Sequence, residues 1–159
     1  MIFADTQMPE VRIDARGRVR PMARHDVPVA AALVARLCLA RGAAPCLDAA
    51  ALEAGLRSPA SQLHGLVAER FGYVVGYALT ESRADGALDL QQLFVMEGSR
   101  GLGLGRALVA AVVAMARDAG CRSIIARPPL ASVHARGFYA ALGFGTDDAA
   151  PGCYRRALP

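Results

Sequence analysis

Glycine stands at positions 101, 103 and 105, with Arg100 before the run and Arg106 after it. An alternating apolar run, Leu88 to Met96, leads into this stretch, and an Ala/Val/Leu/Met-rich segment from about Gly105 to Ala119 follows it. Strand, glycine-rich turn, helix is the order that aims unpaired backbone N–H groups at an anion. The helix dipole and a nest of turn amides both favour a phosphate there. In a plain strand-to-helix turn, glycines at alternate positions would only lower local stability. The stretch therefore reads as a phosphate loop.

Two common phosphate loops do not fit. A P-loop needs Lys and then Ser or Thr after its last glycine, and here Arg106-Ala107 follows. A dinucleotide fingerprint needs G-x-G-x-x-G. Counting from Gly101 meets Arg106, and counting from Gly103 meets Leu108. That fingerprint also usually follows the first strand of its domain, whereas this loop lies two thirds of the way along the chain.

A third pattern fits. Arg100-x-x-Gly103-x-Gly105 matches Q/R-x-x-G-x-G/A, the loop that holds the pyrophosphate of acetyl-coenzyme A in the GNAT family of N-acetyltransferases, which this chain resembles. Leu93-Phe94-Val95 stands where that family's fourth strand carries its cofactor-facing motif. Ala135-x-x-Phe138-Tyr139-x-x-Leu142-Gly143-Phe144 resembles the family's A-x-x-F-Y-x-x-L-G-F signature. Val19 to Ala23 resembles its first strand, so the similarity runs from about Arg16 to Leu158. The resemblance implies acetyl-CoA as co-substrate and no metal. It implies cofactor contacts from Arg100, Gly101, Leu102, Gly103, Gly105 and Arg106 in the loop, and from Phe94 and Val95, whose backbone would pair with the pantetheine arm. Ser132 stands where the family often has a pantetheine-binding Asn.

Moving an acetyl group from a thioester to an amine sets three demands. The amine must lose a proton, the oxyanion needs a fixed donor, and the leaving thiolate needs a proton. The family usually transfers directly, through a tetrahedral intermediate. By resemblance Tyr139 is the acid, its hydroxyl near the sulfur. Many members carry Glu just before the strand motif. Here that position is Gln92, which cannot take a proton but could position the acceptor or a water. Alternation puts Gln92 on the strand face of Phe94. Glu69, Glu81, Glu97, His25 and His64 are further bases by residue type alone, and none is selected.

The elements that must position these groups follow from periodicity and punctuation. Arg18 to Ala23 reads as a strand, and Asp26 as the cap of a helix from Val27 to about Ala40 that ends at Gly42. Asp48 caps a second helix to about Arg57. Leu63–Glu69 and Tyr73–Thr80 form a hairpin over Phe71-Gly72. Leu88–Met96 precedes the loop, and Gly120 ends the helix after it. Arg122–Arg127 is the next strand, Pro128-Pro129 an extended lead-in, and Ser132 the cap of a helix ending at Leu142-Gly143. Phe144-Gly145 and Cys153–Leu158 close the chain. This order implies an α/β (α+β) mixed sheet of the GNAT acyltransferase type. The sheet is mostly antiparallel, is splayed between strands four and five (Leu88–Met96 and Arg122–Arg127), and has helices on both faces. Residues 1–15 read as a tail or a short extra strand, and residues 16–159 as one domain.

A chain of 159 residues with 54% apolar content can build a sizeable core. No window reaches the ~18 consecutive apolar residues of a membrane span, and no signal peptide is evident, so a cytoplasmic protein is expected. All 18 basic residues are Arg, and Lys and Asn are absent, which fits a GC-rich bacterial genome. Cys38, Cys46, Cys121 and Cys153 form no C-x-x-C pair and read as small apolar residues. Arg16, Arg18 and Arg20 share one strand face, read as the solvated face of an edge strand, or as a contact to the 3′-phosphate of coenzyme A or to RNA. A net charge of +4 is too small to argue for nucleic acid. The helix after the loop is apolar almost all round, which fits burial and leaves a homodimer open. The leading function is acetylation of a small-molecule primary amine. The alternatives are an acetyl-CoA-binding regulatory domain without turnover, or transfer to a protein or aminoacyl-tRNA amine.

Overall fold

The computed structural model describes residues 10–14, 17–43, 47–128 and 132–159. Cys46, Pro129 and Arg16 lie outside the described residues. The strands are β1 (Val11–Arg12), β2 (Gly17–Pro21), β3 (Leu63–Arg70), β4 (Tyr73–Ser82), β5 (Ala87–Val95), β6 (Ser123–Ala126), β7 (Gly145–Thr146) and β8 (Tyr154–Ala157). The helices are α1 (Val27–Ala40), α2 (Ala49–Arg57), α3 (Leu104–Asp118) and α4 (Val133–Ala141). One sheet of eight strands runs in the order β1-β2-β3-β4-β5-β6-β8-β7. All neighbours are antiparallel except β5 and β6.

Strand alternation builds a core on each face. On one face Val19, Leu66, Ala78, Leu88 and Ile124 meet Leu108, Val112 and Met115 of α3. On the other, Tyr77 and Leu79 meet Leu33 and Val34 of α1 and Leu52 of α2. The apolar surround of α3 is thus used inside the fold, against β2 to β6. The β3–β4 hairpin turns through Phe71 and Gly72, at φ 52° and 81°, the left-handed pair of a two-residue turn whose twist matches its strands.

Two expectations at the start of the chain are corrected. Asp26 does not cap α1. It sits in a single 3-10 turn, Arg24–Asp26, with helical backbone and no side-chain cap bond. Its carboxylate accepts instead from Ala23 N–H at 2.7 Å and from both terminal nitrogens of Arg20, at 2.6 and 2.9 Å. Nor is the Arg18–Arg20 face solvated on an edge. β2 is flanked by β1 and β3, and Arg20, at 14% side-chain exposure, also donates to Glu69. Arg18 donates to Glu69 as well. A mostly buried guanidinium between two carboxylates is structural glue, which periodicity alone cannot tell from a surface charge.

Asp48 and Ser132 do cap their helices. Asp48 Oδ1 accepts from Ala51 N–H at 2.8 Å, and Ser132 Oγ from Ala135 N–H at 3.1 Å. Gly42, Gly120 and Gly143 take the left-handed conformation that ends each helix.

Candidate active site

The site grows out of a mismatch between neighbouring strands. β5 pairs with β6 only from Ala87↔Ser123 to Leu90↔Ala126. Beyond Leu90, β5 continues to Val95 while the other chain turns away at Arg127-Pro128. The sheet opens there into a gap, at the expected fourth and fifth strands. A bulge sits at its apex. Leu79 pairs with Gln92 and Thr80 with Leu90, so Gln91 is the extra residue. The bulge also reverses the alternation of β5, so Leu88 and Leu90 join Leu93 and Val95 on the α3 face.

Backbone groups line the gap. Met96 N–H donates to Val75 O at 2.8 Å. In an antiparallel ladder the residues bonded to one neighbour alternate. Phe94 therefore turns its N–H and C=O toward its register partner Tyr77, and Leu93 and Val95 turn theirs toward the gap. Val95 O accepts from Arg100 Nε at 2.8 Å, and the Arg100 guanidinium lies 5.9 Å from the Phe94 ring centroid.

At the top of the gap the chain makes one 3-10 turn, Glu97–Ser99, and enters α3 through Gly101 and Gly103, at φ 74° and 83°. The first bond of α3 runs from Ala107 N–H to Gly103 O at 3.0 Å, and no side chain caps its start. The amides of Leu104, Gly105 and Arg106 thus have no acceptor within the helix. A Cβ on Gly105 would meet Phe138 Cε2 and Cζ at 3.4 Å, so a residue without one lets α4 close against this turn.

A cavity of about 640 Å³ joins these parts. Its wall holds Phe94 and Val95, Arg100, Gly101, Gly103, Gly105 and Arg106, and from the far side Ser132, Ala135, Phe138 and Tyr139. The structure thus brings every expected site residue but two to one cavity, although the backbone expected of Phe94 is spent on Tyr77 and the gap is faced by Leu93 and Val95 instead. Leu102 stands outside the wall with its side chain half exposed. Gln92 is buried on the α1 side of the sheet, where its Oε1 accepts from Tyr77 Oη at 2.8 Å, and the wall is formed by Gln91 instead. The bulge decides which of the two glutamines faces the cavity.

Tyr139 is buried, packed edge-on to Phe138 and Phe144 and stacked on Tyr154. Burial pushes its phenol up to about 12, against a smaller downward pull from Arg41. At neutral pH the group is therefore a proton-bearing donor. No carboxylate is part of the described wall. Glu69 is tied to Arg18 and Arg20, Glu81 accepts from Gln91, and Glu97, His25 and His64 stand outside the wall.

Two further wall residues, not singled out individually from the sequence, are arginines. Arg41 ends α1, and Arg127 follows β6. Arg127 is ion-paired to Asp89 of β5, whose side chain is nine-tenths buried. A lone acid within the apolar run Ala87–Leu90 was the signal available for that pair. Among the described residues no cluster of side chains suits a metal ion. No described helix is long and apolar enough to cross a membrane.

This strand gap with a glycine-rich helix start defines a class. The acetyltransferase (GNAT) family matches residues 37–144, more than half of the 159-residue chain. The chain belongs to that family. The fold is shared by yncA of Salmonella typhimurium, solved with its cofactor acetyl-CoA, at 19% identity and TM-score 0.78 over 91% of this chain and 95% of that one. PaiA N-acetyltransferase of Thermoplasma acidophilum, solved with coenzyme A, aligns at 12% identity and TM-score 0.73 over 89% and 99%. A protein assigned to the GNAT family from Desulfovibrio desulfuricans aligns at 26% identity and TM-score 0.70 over 90% and 99%. No curated protein matches the chain.

Proposed function

We propose that the chain transfers the acetyl group of acetyl-CoA to the nitrogen of a small-molecule primary amine. The observation that carries this is one continuous wall. The helix-start residues Leu104 to Arg106, whose amides have no acceptor within the helix, the strand residues Leu93 and Val95, and Tyr139 border a single cavity. The amides at the start of α3, with Arg100 and Arg106, suit a pyrophosphate. The strand edge at Leu93 and Val95 suits an amide-bearing arm laid alongside it, as an added strand would lie. Ser132 spends its Oγ on capping α4 and adds only a secondary contact.

Bound acetyl-CoA supplies a thioester carbonyl. The neutral amine attacks it directly: a C–N bond forms, the C–S bond breaks, and the nitrogen gives up a proton to water. Tyr139 donates a hydrogen bond to the departing sulfur. Complete transfer from a phenol near 12 to a thiolate whose acid has a pKa of about 8.5 would run uphill. Its contribution is therefore the hydrogen bond, with the proton following from solvent. Gln92 acts behind the wall as a positioning residue, holding Tyr77 beneath Phe94. The protein works in the cytoplasm of a bacterium, and acceptor capture needs neither a membrane nor nucleic acid.

A wall without a described carboxylate favours one second reading, a domain that holds acetyl-CoA without turning it over. Calorimetry with acetyl-CoA and no acceptor tests the shared premise, and micromolar binding is expected. No binding by folded protein would remove both readings. Release of free thiol on adding a panel of amines separates the first from the second.

A further inference from the structure

The acceptor end of the cavity carries a charge pattern that the transfer reaction itself does not require. The described wall holds Arg41, Arg100, Arg106 and Arg127 and no Asp or Glu. By sequence, 44–46 and 129–131 contain no acidic residue either. Arg100 and Arg106 belong to the glycine loop and suit the pyrophosphate. Arg41 and Arg127 do not. They enter the same wall from the end of α1 and the end of β6, Arg127 through its ion pair with Asp89 next to the apex and Arg41 within electrostatic reach of Tyr139. Along β5 at ~3.4 Å per residue, the apex at Leu90 lies about 17 Å from Val95, where the loop begins.

From this we infer that the acceptor is an amine carrying a carboxylate close to its nitrogen, held by Arg41 and Arg127, and not a polycation. The inference rests on the acetyl-transfer reading above and names the substrate class of that same site.

Three arguments support it. First, a guanidinium presents a planar fork that matches a carboxylate bidentately. Arg127 is held for such a role. Its Nη1 is tied to Asp89, which leaves a side chain 47% exposed at the cavity. Arg41 has no carboxylate partner among the described residues, and its charge reaches the Tyr139 phenol. Second, a polyamine or aminoglycoside would bring several positive charges against a wall with no described negative one. Like charges at short range repel, and a wall of one sign selects against a ligand of the same sign. A carboxylate-bearing amine answers the same wall with its own anion. Third, a positive surround favours the neutral form of an amine over the ammonium. The attacking nitrogen must be neutral, and the described wall offers no carboxylate and only the His134 imidazole to deprotonate it. Two arginines on the same wall would serve binding and deprotonation together.

The test uses the intact chain and matched acceptors: L-leucine, L-methionine and L-glutamate, each beside its α-amide, with spermidine as the polycation. Calorimetry on the chain saturated with coenzyme A reads acceptor binding without turnover, and thiol release reads kcat/KM. At least one amino acid is expected to outperform its amide by about 100-fold in kcat/KM, because a site built around a charged partner rejects an analogue lacking it. Spermidine is expected to be inert. Arg41→Ala should raise the acceptor KM by about tenfold or more while the acetyl-CoA Kd stays unchanged. Arg127→Lys, which keeps a cation beside Asp89 and so protects the fold, should weaken the acceptor and not the cofactor. Equal use of acid and amide, preference for spermidine, no amino acid bound or turned over, or an Arg41→Ala enzyme with unchanged acceptor KM would each overturn the inference while cofactor binding still stood. Loss of acetyl-CoA binding in the unaltered chain would instead overturn the parent reading, and this inference with it.

Discussion

Tyr77 Oη donates to Gln92 Oε1 at 2.8 Å, inside the apolar layer that α1 and α2 lay over the sheet. The two residues come from neighbouring strands, and Leu79, two positions on from Tyr77, pairs with Gln92 in register. The bond commits the amide to the strand behind the site. It leaves Gln92, which sequence reasoning set at the reacting centre, buried outside the described cavity wall.

Replacing Gln92 with Leu tests that placement. The substitution keeps the volume and leaves the Tyr77 hydroxyl with one partner fewer. A buried polar group that loses its partner costs about 1–3 kcal/mol, so urea unfolding should show a loss of that size. Tyr77→Phe in the same background should recover part of it, because both ends of the bond are then apolar. The acetyl-CoA Kd should not move, the acceptor KM should rise by a few-fold, and kcat should stay within about threefold. A fall of about 100-fold in kcat would place Gln92 back among the reacting groups.

Gly103 carries the glycine-rich turn through φ +83° directly before α3, and a Cβ there would meet Ile13 Cγ2 at an ordinary 3.9 Å. Gly103→Ala should therefore cost about 1–2 kcal/mol, the strain of a left-handed L-residue, and leave measurable cofactor binding. Gly103→Glu adds the same strain and sets a negative charge where a pyrophosphate is to lie. It should abolish binding of acetyl-CoA in a calorimetric titration. Equal affinity in the alanine and glutamate variants would mean that no phosphate approaches this turn.

Tyr139→Phe removes the donor and keeps the ring that Phe138, Phe144 and Tyr154 pack around. Turnover should fall by about 10²-fold, the scale of removing one fixed hydrogen-bond donor from a developing negative charge, with the acetyl-CoA Kd nearly unchanged. The pH profile carries an independent sign. With the phenol pushed up to about 12, the donor form persists throughout the alkaline range used for assays. The rate should rise as the acceptor ammonium deprotonates and then level off, with no fall below about pH 10. A downturn near pH 9 that vanishes in Tyr139→Phe would show that the phenol titrates far lower than its burial dictates.

Where sequence reasoning succeeded, the signal was local. The caps at Asp48 and Ser132, the hairpin at Phe71-Gly72 and the glycine-led entry to α3 each depend on a few adjacent residues, whose chemistry allows little else. Where it fell short, the deciding partner lay far along the chain. Arg20 looks like a surface charge until Asp26 and Glu69, 6 and 49 positions away, are brought against it. Alternation assigned Gln92 to the face of Phe94 correctly. It could not locate the bulge at Gln91, because a bulge is a relation between β4 and β5 and neither strand shows it alone. For the same reason the joint placement of Arg41 and Arg127 was not legible: only the fold sets the end of α1 and the end of β6 around one cavity.

The Arg20 network gives the last prediction, on stability against pH. Burial pushes the Asp26 carboxyl up, but its bonds to Arg20 and the Ala23 amide outweigh that and hold it below its ordinary value. Hydrogen bonding to Arg20 does the same for Glu69, with burial opposing and Arg18 adding to it. Both folded-state values are depressed, so the unfolded chain binds protons first as pH falls. The stabilisation is fully present above the unfolded carboxylate values of about 4 and is lost as pH drops below them, through the folded values. Arg20→Ala would strand the buried Asp26 carboxylate and leave Glu69 with Arg18 alone, and should cost about 3 kcal/mol in urea unfolding at pH 7. The gap between variant and parent should narrow when the same titration is run near pH 3, since protonated carboxyls no longer need the guanidinium. A cost that stays constant from pH 7 to pH 3 would mean that Arg20 contributes through packing of its alkyl stem and not through its charge.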